Sequence, residues 1–419
     1  IPCPSRARTP MHKVLFLALA TMVHLPAARA AAPTVVDFNF HIRPLLSDRC
    51  FACHGPDDKS RKARLDLHTR EGAVKGGRSG EPALKPGEPD ASALLQRISS
   101  TDPDEVMPPP DSKLPPLTPE EVELIRRWIE QGAEFKEHWA FLPTREPHVP
   151  EVPPSAGRMH NDIDRFVLAR LQEEDLAQAP EAPRETLLRR LSLDLIGLPP
   201  TASELDAFLA DTSPDAYDRA VTRLLESPHY GERMAQEWLD LARYADTYGY
   251  QADVDRDMYP WRDWVVRAFN QNLPWDKFLT WQLAGDLLDN PTADQRLATA
   301  FNRLHRQTNE GGSIEEEFRA EYVADRVHTM GTAFMGLTLE CARCHDHKYD
   351  PVSQRDYYRL FAYFNSVDES GLYSHFTRAV PTPVMFLWKD GEEARHTAAR
   401  EGVLRAEATL ARTRDEALA

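Results

Sequence analysis

The sequence predicts an all-α protein. Three observations predict it. Apolar residues recur at helical spacing through most of the chain, side chains able to cap a helix stand just ahead of several of these stripes, and no run shows the β-branched alternation of a half-buried strand. At 419 residues and 42% hydrophobic composition, the chain is long enough for two or three packed domains. A formal net charge of −16 argues against a nucleic-acid partner, whose phosphates would repel it. That charge suits docking to a basic protein instead.

The amino end stands apart from the fold. Met11-His12-Lys13 precedes an apolar run from Val14 to Leu25, and Ala28-Arg29-Ala30 follows. This is the n-region, h-region and cleavage site of a secretory signal. The apolar run is about half of what a bilayer span needs, so no stable membrane span is expected after cleavage. Residues 1–32 are read as an overextended start plus this signal, with Met11 as initiator and Cys3 lost from the mature chain.

Residues 33–140 form the first expected domain. A short helix carrying Leu45 and Leu46 delivers Cys50-Phe51-Ala52-Cys53-His54. The C-x-x-C-H order is what covalent haem attachment requires: two thiols three positions apart can add to the two vinyl groups of one porphyrin, and the adjacent histidine faces the iron. Four of the five cysteines lie in two such pentapeptides, the second being Cys341-Ala342-Arg343-Cys344-His345, so no pair is left for a disulfide framework. Attachment outside the cytoplasm agrees with the signal. After the first motif, Lys59 to Arg64 is basic, Gly72 to Pro89 reads as loop, and Ala91 to Ile98 reads as a short helix. Met107-Pro108-Pro109-Pro110 then places a soft thioether in a proline-stiffened segment that cannot continue a helix. Without the upstream motif Met107 would read as an ordinary core methionine; with it, the residue is the expected second axial ligand. Thr118, Pro119 and Glu121 then sign a helix start, Val122, Ile125, Trp128 and Ile129 give its apolar stripe, and Gly132 ends it. Helix, C-x-x-C-H, loops, methionine and closing helix, in that order, resemble the small class I-like c-type cytochromes.

Residues 141–160 hold Pro143, Pro147, Pro150, Pro153 and Pro154 and read as an extended connector. Residues 161–370 read as a larger helical domain. Asp162 is expected to cap a helix with Ile163, Phe166, Val167 and Leu171 on its buried face. Leu187, Leu188, Leu191 and Leu195 mark the next helix, ended by Gly197. Thr201 and Glu204 form a capping box ahead of Leu205, Phe208 and Leu209, and Ser213-Pro214 opens a helix bearing Tyr217, Val221, Leu224 and Leu225. Pro228 to Tyr244, Trp261 to Leu273 and Pro274 to Leu288 continue the helical pattern.

Several of these segments carry a family resemblance. They are Leu187 to Thr201, Ser227-Pro228-His229-Tyr230-Gly231-Glu232-Arg233, Trp238 to Asp246, Asn309-Glu310-Gly311-Gly312, and Cys341 to Pro351. With Cys50 to Pro56, Met107-Pro108-Pro109 and Leu117 to Gly132, they resemble the planctomycete-type cytochrome c proteins over roughly residues 37–365. In these a small cytochrome domain precedes a larger helical domain of unknown function. The resemblance implies haem c binding and electron transfer at the cell envelope.

The second motif is expected to follow directly on a rigid helix running from Ile314 through Met330. A zinc site from Cys341, Cys344, His345 and His347 is the rival reading, weakened because no further cysteine pair exists. No proline-framed methionine follows. Candidate sixth ligands are His347, Met335, His328 and His305, with His347 better suited to fixing the surroundings, and an open iron position is the remaining alternative. An apolar shell is expected around each iron. Asp253-x-Asp255-x-Asp257 lacks the glycine and the glutamate of an EF-hand, having Met258 and Trp264 at those positions, and reads as a solvated loop. Asn309-Glu310-Gly311-Gly312 reads as a glycine turn ahead of the Glu315 helix or a loop near the second motif. Residues 371–419 form a tail, with a short strand expected over Pro381 to Trp388. A coiled-coil start follows at Val403, Ala406 and Leu410, a means of self-association.

The sequence thus reads as an exported, periplasmic, dihaem c-type cytochrome that passes electrons between redox partner proteins at the cell envelope. Cys50 and Cys53 hold the first haem with His54 and Met107 axial; Cys341 and Cys344 hold the second with His345 proximal. Two other classes remain open: a dihaem enzyme of peroxidase or oxidase type with an open second iron, and a haem-bearing binding or scaffold protein.

Overall fold

The computed structural model describes residues 34–373 and 382–418. Cys3, the signal-like segment Met11 to Ala30, and Pro381 lie outside the described residues. The fold is all-α: sixteen α-helices joined by short 3-10 and π turns, with no strand among the described residues. A lone bridge pairs Thr247 with Asp255. The short strand expected up to Trp388 is absent over residues 382–388, because a strand needs a ladder partner and the described chain offers none. The described residues fall into two compact units, those of Ile1–Cys53 with Lys62–Leu142 and those of His54–Arg61 with Pro143–Ala419.

In the first unit, a π turn at Phe38–Ile42 runs into α1 (Arg43–Arg49). Asp37 starts it, its carboxylate accepting from the Asn39 and Phe40 N–H groups at 2.8 and 3.1 Å. Pro44 stands in the first turn of α1, where its missing N–H leaves no gap in the hydrogen bonding. The short α2 (Phe51–His54) follows, then α3 (Arg70–Lys75) capped by Thr69, and α4 (Ala93–Ser99). α5 (Pro119–Glu130) opens with the capping box expected of it: Thr118 Oγ1 accepts the Glu121 N–H at 3.2 Å and Glu121 accepts the Thr118 N–H at 2.7 Å. Ile125, Trp128 and Ile129 bury that helix against Phe38, Ile42, Leu46 and Phe51. The rings of Phe38, Trp128 and Phe135 interlock at 4.6 to 5.7 Å, and the Trp128 indole N–H donates to the Glu134 carbonyl at 3.0 Å.

The second unit is built from three apolar clusters. α6 (Asp162–Glu173) leads in, and it corrects the sequence reading twice. Asn161, not Asp162, is its cap. Ile163 is 71% exposed and Phe166 and Val167 also face solvent, while the helix buries Leu168. The stripe gave the face wrongly because α6 leans on a loop: Leu168 lies against Gly157, and Gln178 accepts the Arg158 N–H at 2.7 Å. α7 (Arg184–Ile196), α8 (Ala202–Ala210) and α9 (Ala216–Leu225) close on Leu188, Leu191, Phe208 and Leu224. Gly197 ends α7 at φ 70°, the left-handed conformation that glycine adopts without strain. Thr201 and Glu204 form the expected capping box, whereas Leu209, Tyr217 and Leu225 stay exposed.

α10 (Pro228–Ala242), α11 (Tyr259–Asn270), α12 (Trp275–Ala284) and α13 (Ala293–Ala298) form an aromatic core around Trp238, Trp261, Trp264, Phe278 and Phe301. Both buried indole N–H groups are satisfied, Trp238 by Gln282 at 2.9 Å and Trp261 by the Ala298 carbonyl at 3.1 Å. α10 and α11 meet at Gly231, where a Cβ would stand 2.3 Å from the Val266 carbonyl oxygen. The third cluster joins α14 (Glu315–Met330) and α15 (Gln354–Phe364) through Val323, Val327, Leu339, Ala342, Tyr357 and Phe364. α16 (Glu392–Leu418) is a long helix that buries none of its residues. Val403 and Leu410 are 57% and 71% exposed, so the expected coiled-coil stripe has no partner in the described chain.

Candidate functional site

Each C-x-x-C-H is anchored by the same position. The residue after the first cysteine is buried in the local core: Phe51 in the first motif, Ala342 in the second. That anchors each pentapeptide to its core; Cys50 packs against the same core, whereas Cys341 and Cys344 stay exposed. The local geometry then differs. Cys50 closes α1, its N–H donating to the Leu46 carbonyl at 2.8 Å, and Cys53 donates to the Cys50 carbonyl at 3.0 Å as α2 begins. Both cysteines are half-buried. Burial is the main influence on the Cys50 thiol and pushes it up to about 12, against a smaller opposing effect of the Arg49 charge. That favours the neutral thiol over the free thiolate.

Met107 packs against the same apolar core as Cys50. Its N–H donates to the Arg97 carbonyl at 3.1 Å, tying it to the end of α4. The Met107–Pro108 peptide is cis, and Pro109 is extended before a 3-10 turn at Pro110–Ser112. The prolines hold the methionine out of any α-helix, with that short turn as the departure from a wholly extended segment.

The second motif is not carried on the end of a rigid helix, as the sequence suggested. α14 stops at Met330, a π turn covers Gly331–Met335, and Gly336 reverses the chain at φ 64°. Cys341 lies in a 3-10 turn, Glu340–Arg343, beyond that break. Beyond that break Ala342 packs in the cluster formed by α14 and α15. Cys341 and Cys344 are exposed, so the expected apolar shell does not enclose the second pair of sulfurs among the described residues.

His345 is oriented by its own segment. Its Nδ1 lies 2.7 Å from the Asp346 carbonyl oxygen, which can only accept, so Nδ1 carries the proton and Nε2 keeps the lone pair. α15 braces the loop: the Gln354 N–H donates to Asp346 at 2.8 Å, and the Gln354 amide and the Tyr358 hydroxyl both donate to the Arg343 carbonyl at 3.1 Å. The donor set at each motif therefore fits covalent haem with histidine ligation.

Among the expected sixth-ligand candidates at the second motif, His305 has both ring nitrogens engaged, whereas His328 and His347 each have one. His347 is buried, and its Nδ1 accepts the Asp350 N–H at 2.9 Å. His328 Nε2 lies 3.0 Å from the Tyr357 hydroxyl, and burial lowers its pKa. Met335 is 51% exposed in the π turn. No group of three or more histidine, cysteine or acidic residues is arranged to hold a metal ion among the described residues. Asp253 instead accepts the Gly249 N–H at 2.8 Å, and Asp255 bridges to Thr247, in an exposed loop.

His305 belongs to a buried charged network that the sequence reading missed. Its Nδ1 faces the Arg306 carbonyl at 2.9 Å, its Nε2 lies 2.9 Å from Arg326 and 3.2 Å from Glu369, and its ring stacks on Tyr322 at 4.5 Å. Glu369 also pairs with Arg303 and Arg326. Burial pushes His305 down to about 4, outweighing the Glu369 contact. Burial alone would raise Glu369, but the His305 hydrogen bond and the Arg326 and Arg303 charges hold it well below the usual carboxylate range. These partners lie tens of residues apart, so no local spacing could announce them. The Asn309-Glu310 turn lies close by and is held by Gln251, which accepts the Asn309 N–H at 3.0 Å and donates to Glu310 at 2.6 Å.

No helix among the described residues is long and apolar enough to cross a membrane. Residues 50–111 match the family model of planctomycete cytochrome C, a span that holds both the first motif and Met107. Residues 162–369 match the model of a protein family of unknown function (DUF1549), a span that holds the second motif and Glu369. No curated protein and no solved structure matches the chain.

Proposed function

Because the chain belongs to the planctomycete cytochrome c proteins, with a c-type cytochrome domain ahead of a helical domain of unknown function, we propose that it is an exported dihaem cytochrome transferring electrons between redox proteins of the cell envelope. At the first motif Cys50 and Cys53 would hold the haem, with His54 and Met107 as its iron ligands. At the second, Cys341 and Cys344 would hold it, with His345 as an iron ligand. Haem supplies the one-electron chemistry once attached. The protein's part is attachment, orientation and control of solvent access.

The observation that carries the second haem is the Nδ1–H of His345 held by the Asp346 carbonyl. A ligating histidine commonly gives its other ring N–H to a carbonyl, which fixes the tautomer and raises ligand basicity. The exposed Cys341 and Cys344 thiols leave porphyrin free to reach them. Export is supported by the signal-like residues from Met11 to Ala30. A pyridine haemochrome assay and intact mass on the exported protein are expected to give two covalent haems per chain. One haem, with Cys341 and Cys344 unmodified, would overturn the second half of the proposal.

The enzyme reading draws support at the second site alone. His305, His328 and His347 all have ring nitrogens engaged within the protein. That reading requires an open position on the second iron. Carbon monoxide added to the reduced dihaem protein is expected to alter the visible spectrum of one haem of the two. An unchanged spectrum would mean that both irons are six-coordinate, leaving a pure electron carrier.

A further inference from the structure

The basic run after the first motif has no part in either haem site. Residues 59–78 hold seven lysines and arginines against Asp66 and Glu71, a local balance of +5 in a chain whose formal net charge is −16. Lys59, Lys62, Arg64, Arg70, Lys75 and Arg78 are exposed, and none of the six forms an ion pair among the described residues. Asp66 is engaged within its own loop, accepting from the His68 N–H at 2.9 Å and the Thr69 hydroxyl at 3.1 Å. Elsewhere in the first unit cations find carboxylates, Arg126 at Asp90 and Lys136 at Asp37.

The fold gathers four of these charges and fixes them near the first motif. Arg61 ties the run back to the pentapeptide, donating to the carbonyls of Gly55 and Pro56, the two residues after His54, at 3.0 Å each. The chain then turns over Lys62–Arg64, where the Leu65 N–H donates to the Lys62 carbonyl at 3.1 Å and Ala63 and Arg64 stand at φ 50° and 56°. Residues with a side chain rarely hold that left-handed conformation, and two in succession persist where the surrounding structure imposes it. Here the Arg78 N–H donates to the Ala63 carbonyl at 2.7 Å, and a Cβ on Gly77 would stand 2.7 Å from the same oxygen. The turn with Lys62 and Arg64 thus lies beside Arg78, and Lys75 ends α3 three residues earlier. Leu65 anchors the turn in the apolar core against which Cys50 and Met107 also pack.

We propose, resting on the reading of Cys50, Cys53, His54 and Met107 as a haem site, that Lys62, Arg64, Lys75 and Arg78 form the face where the redox partner of the first haem docks, and that this partner presents an acidic surface. The net charge of the whole chain points the other way, toward a basic partner. It is not what a partner at this face meets. At physiological ionic strength, exposed charges more than about 8 Å away are largely screened, so the near cations govern the encounter. Complementary charge acts chiefly on the rate and register of docking, which suits a partner that exchanges one electron and leaves. A membrane or a nucleic acid spreads its negative charge over a far larger area than four side chains, and would also meet the carboxylates around them. An acidic patch on a protein can be as small as the face it covers.

The test uses the full haem-loaded chain, with poly-L-glutamate as the acidic surface and anionic phospholipid vesicles and duplex DNA as its rivals. Poly-L-glutamate is expected to bind and to be released as salt rises. It is also expected to slow the oxidation of one haem of the two by ferricyanide, which takes a single electron from ferrous iron and becomes ferrocyanide. Lys62→Glu with Arg64→Glu is expected to weaken the binding about tenfold or more and to remove the slowing. Arg78→Glu, across the turn, is expected to act in the same direction and serves if the double variant folds poorly. Absence of binding, binding that the variants leave unchanged, or tighter binding to vesicles or DNA than to poly-L-glutamate would overturn the proposal. A chain that binds poly-L-glutamate but carries no haem at Cys50 and Cys53 would instead overturn the haem reading beneath it.

Discussion

Met107→His is expected to keep the first haem covalently attached and lower its reduction potential by about 0.1–0.3 V, part of the roughly 0.8 V range that axial ligands span. Thioether sulfur favours ferrous iron, whereas imidazole, the stronger donor, favours ferric. Cys50→Ala with Cys53→Ala is expected to remove one haem from the haemochrome count and leave the second motif loaded. The two variants separate attachment from ligation. Spectroelectrochemical titration of the first, resolved into two haem components, is the measurement. A potential unmoved by Met107→His would sink the methionine as a ligand and leave Met107 as a core residue packed beside Cys50.

The second large effect is on stability. Glu369→Ala is expected to destabilise the second unit by about 3–5 kcal/mol, because it leaves Arg303 and Arg326 charged and buried without their counter-ion. The urea midpoint of unfolding, followed through the tryptophans of the α10–α13 core, reads it out. A shift under 1 kcal/mol would mean that water replaces the carboxylate. The same network sets an acid dependence. His305 titrates near 4 when folded and near 6.5 when unfolded. Between those values the unfolded chain binds the proton and the folded chain does not, so stability falls as pH drops from 6.5 toward 4, by on the order of 3 kcal/mol. Glu369, held low by its partners, adds a further loss below the ordinary carboxylate value of 4.5. His305→Gln should remove the upper part of this slope and keep the lower.

Legibility in the sequence followed the range of the interactions. The capping boxes at Thr118 and Thr201 were readable because both partners lie within four residues, and the α5 stripe because Ile125, Trp128 and Ile129 share one helix face. The cysteines and histidines of both motifs were readable because the chemistry needs them adjacent. The buried face of α6 was not, since its choice of Leu168 depends on a loop that comes back from Gln178. Nor was the course of the chain into Cys341, where Gly336 turns it so that Ala342 can meet Tyr357 of α15. The fate of His305 was decided by Glu369, 64 positions later in the chain.

By itself, then, the sequence determined the helical class, the pairing of a cytochrome domain with a second helical domain, and the thiol and histidine groups able to hold haem. The helical class rests on composition and helical period and the thiol and histidine groups on adjacent residues, all of which are local, while the pairing of domains rests on the family resemblance. Only the tertiary structure decided that Phe51 and Ala342 anchor the two pentapeptides, that the second pair of thiols faces solvent, and that His345 turns Nδ1 to a carbonyl. It also decided that Arg303, His305 and Arg326 gather around Glu369. The physical reason is that burial and charge balance belong to groups brought together by the fold, and the separation of those groups along the chain carries no record of their meeting.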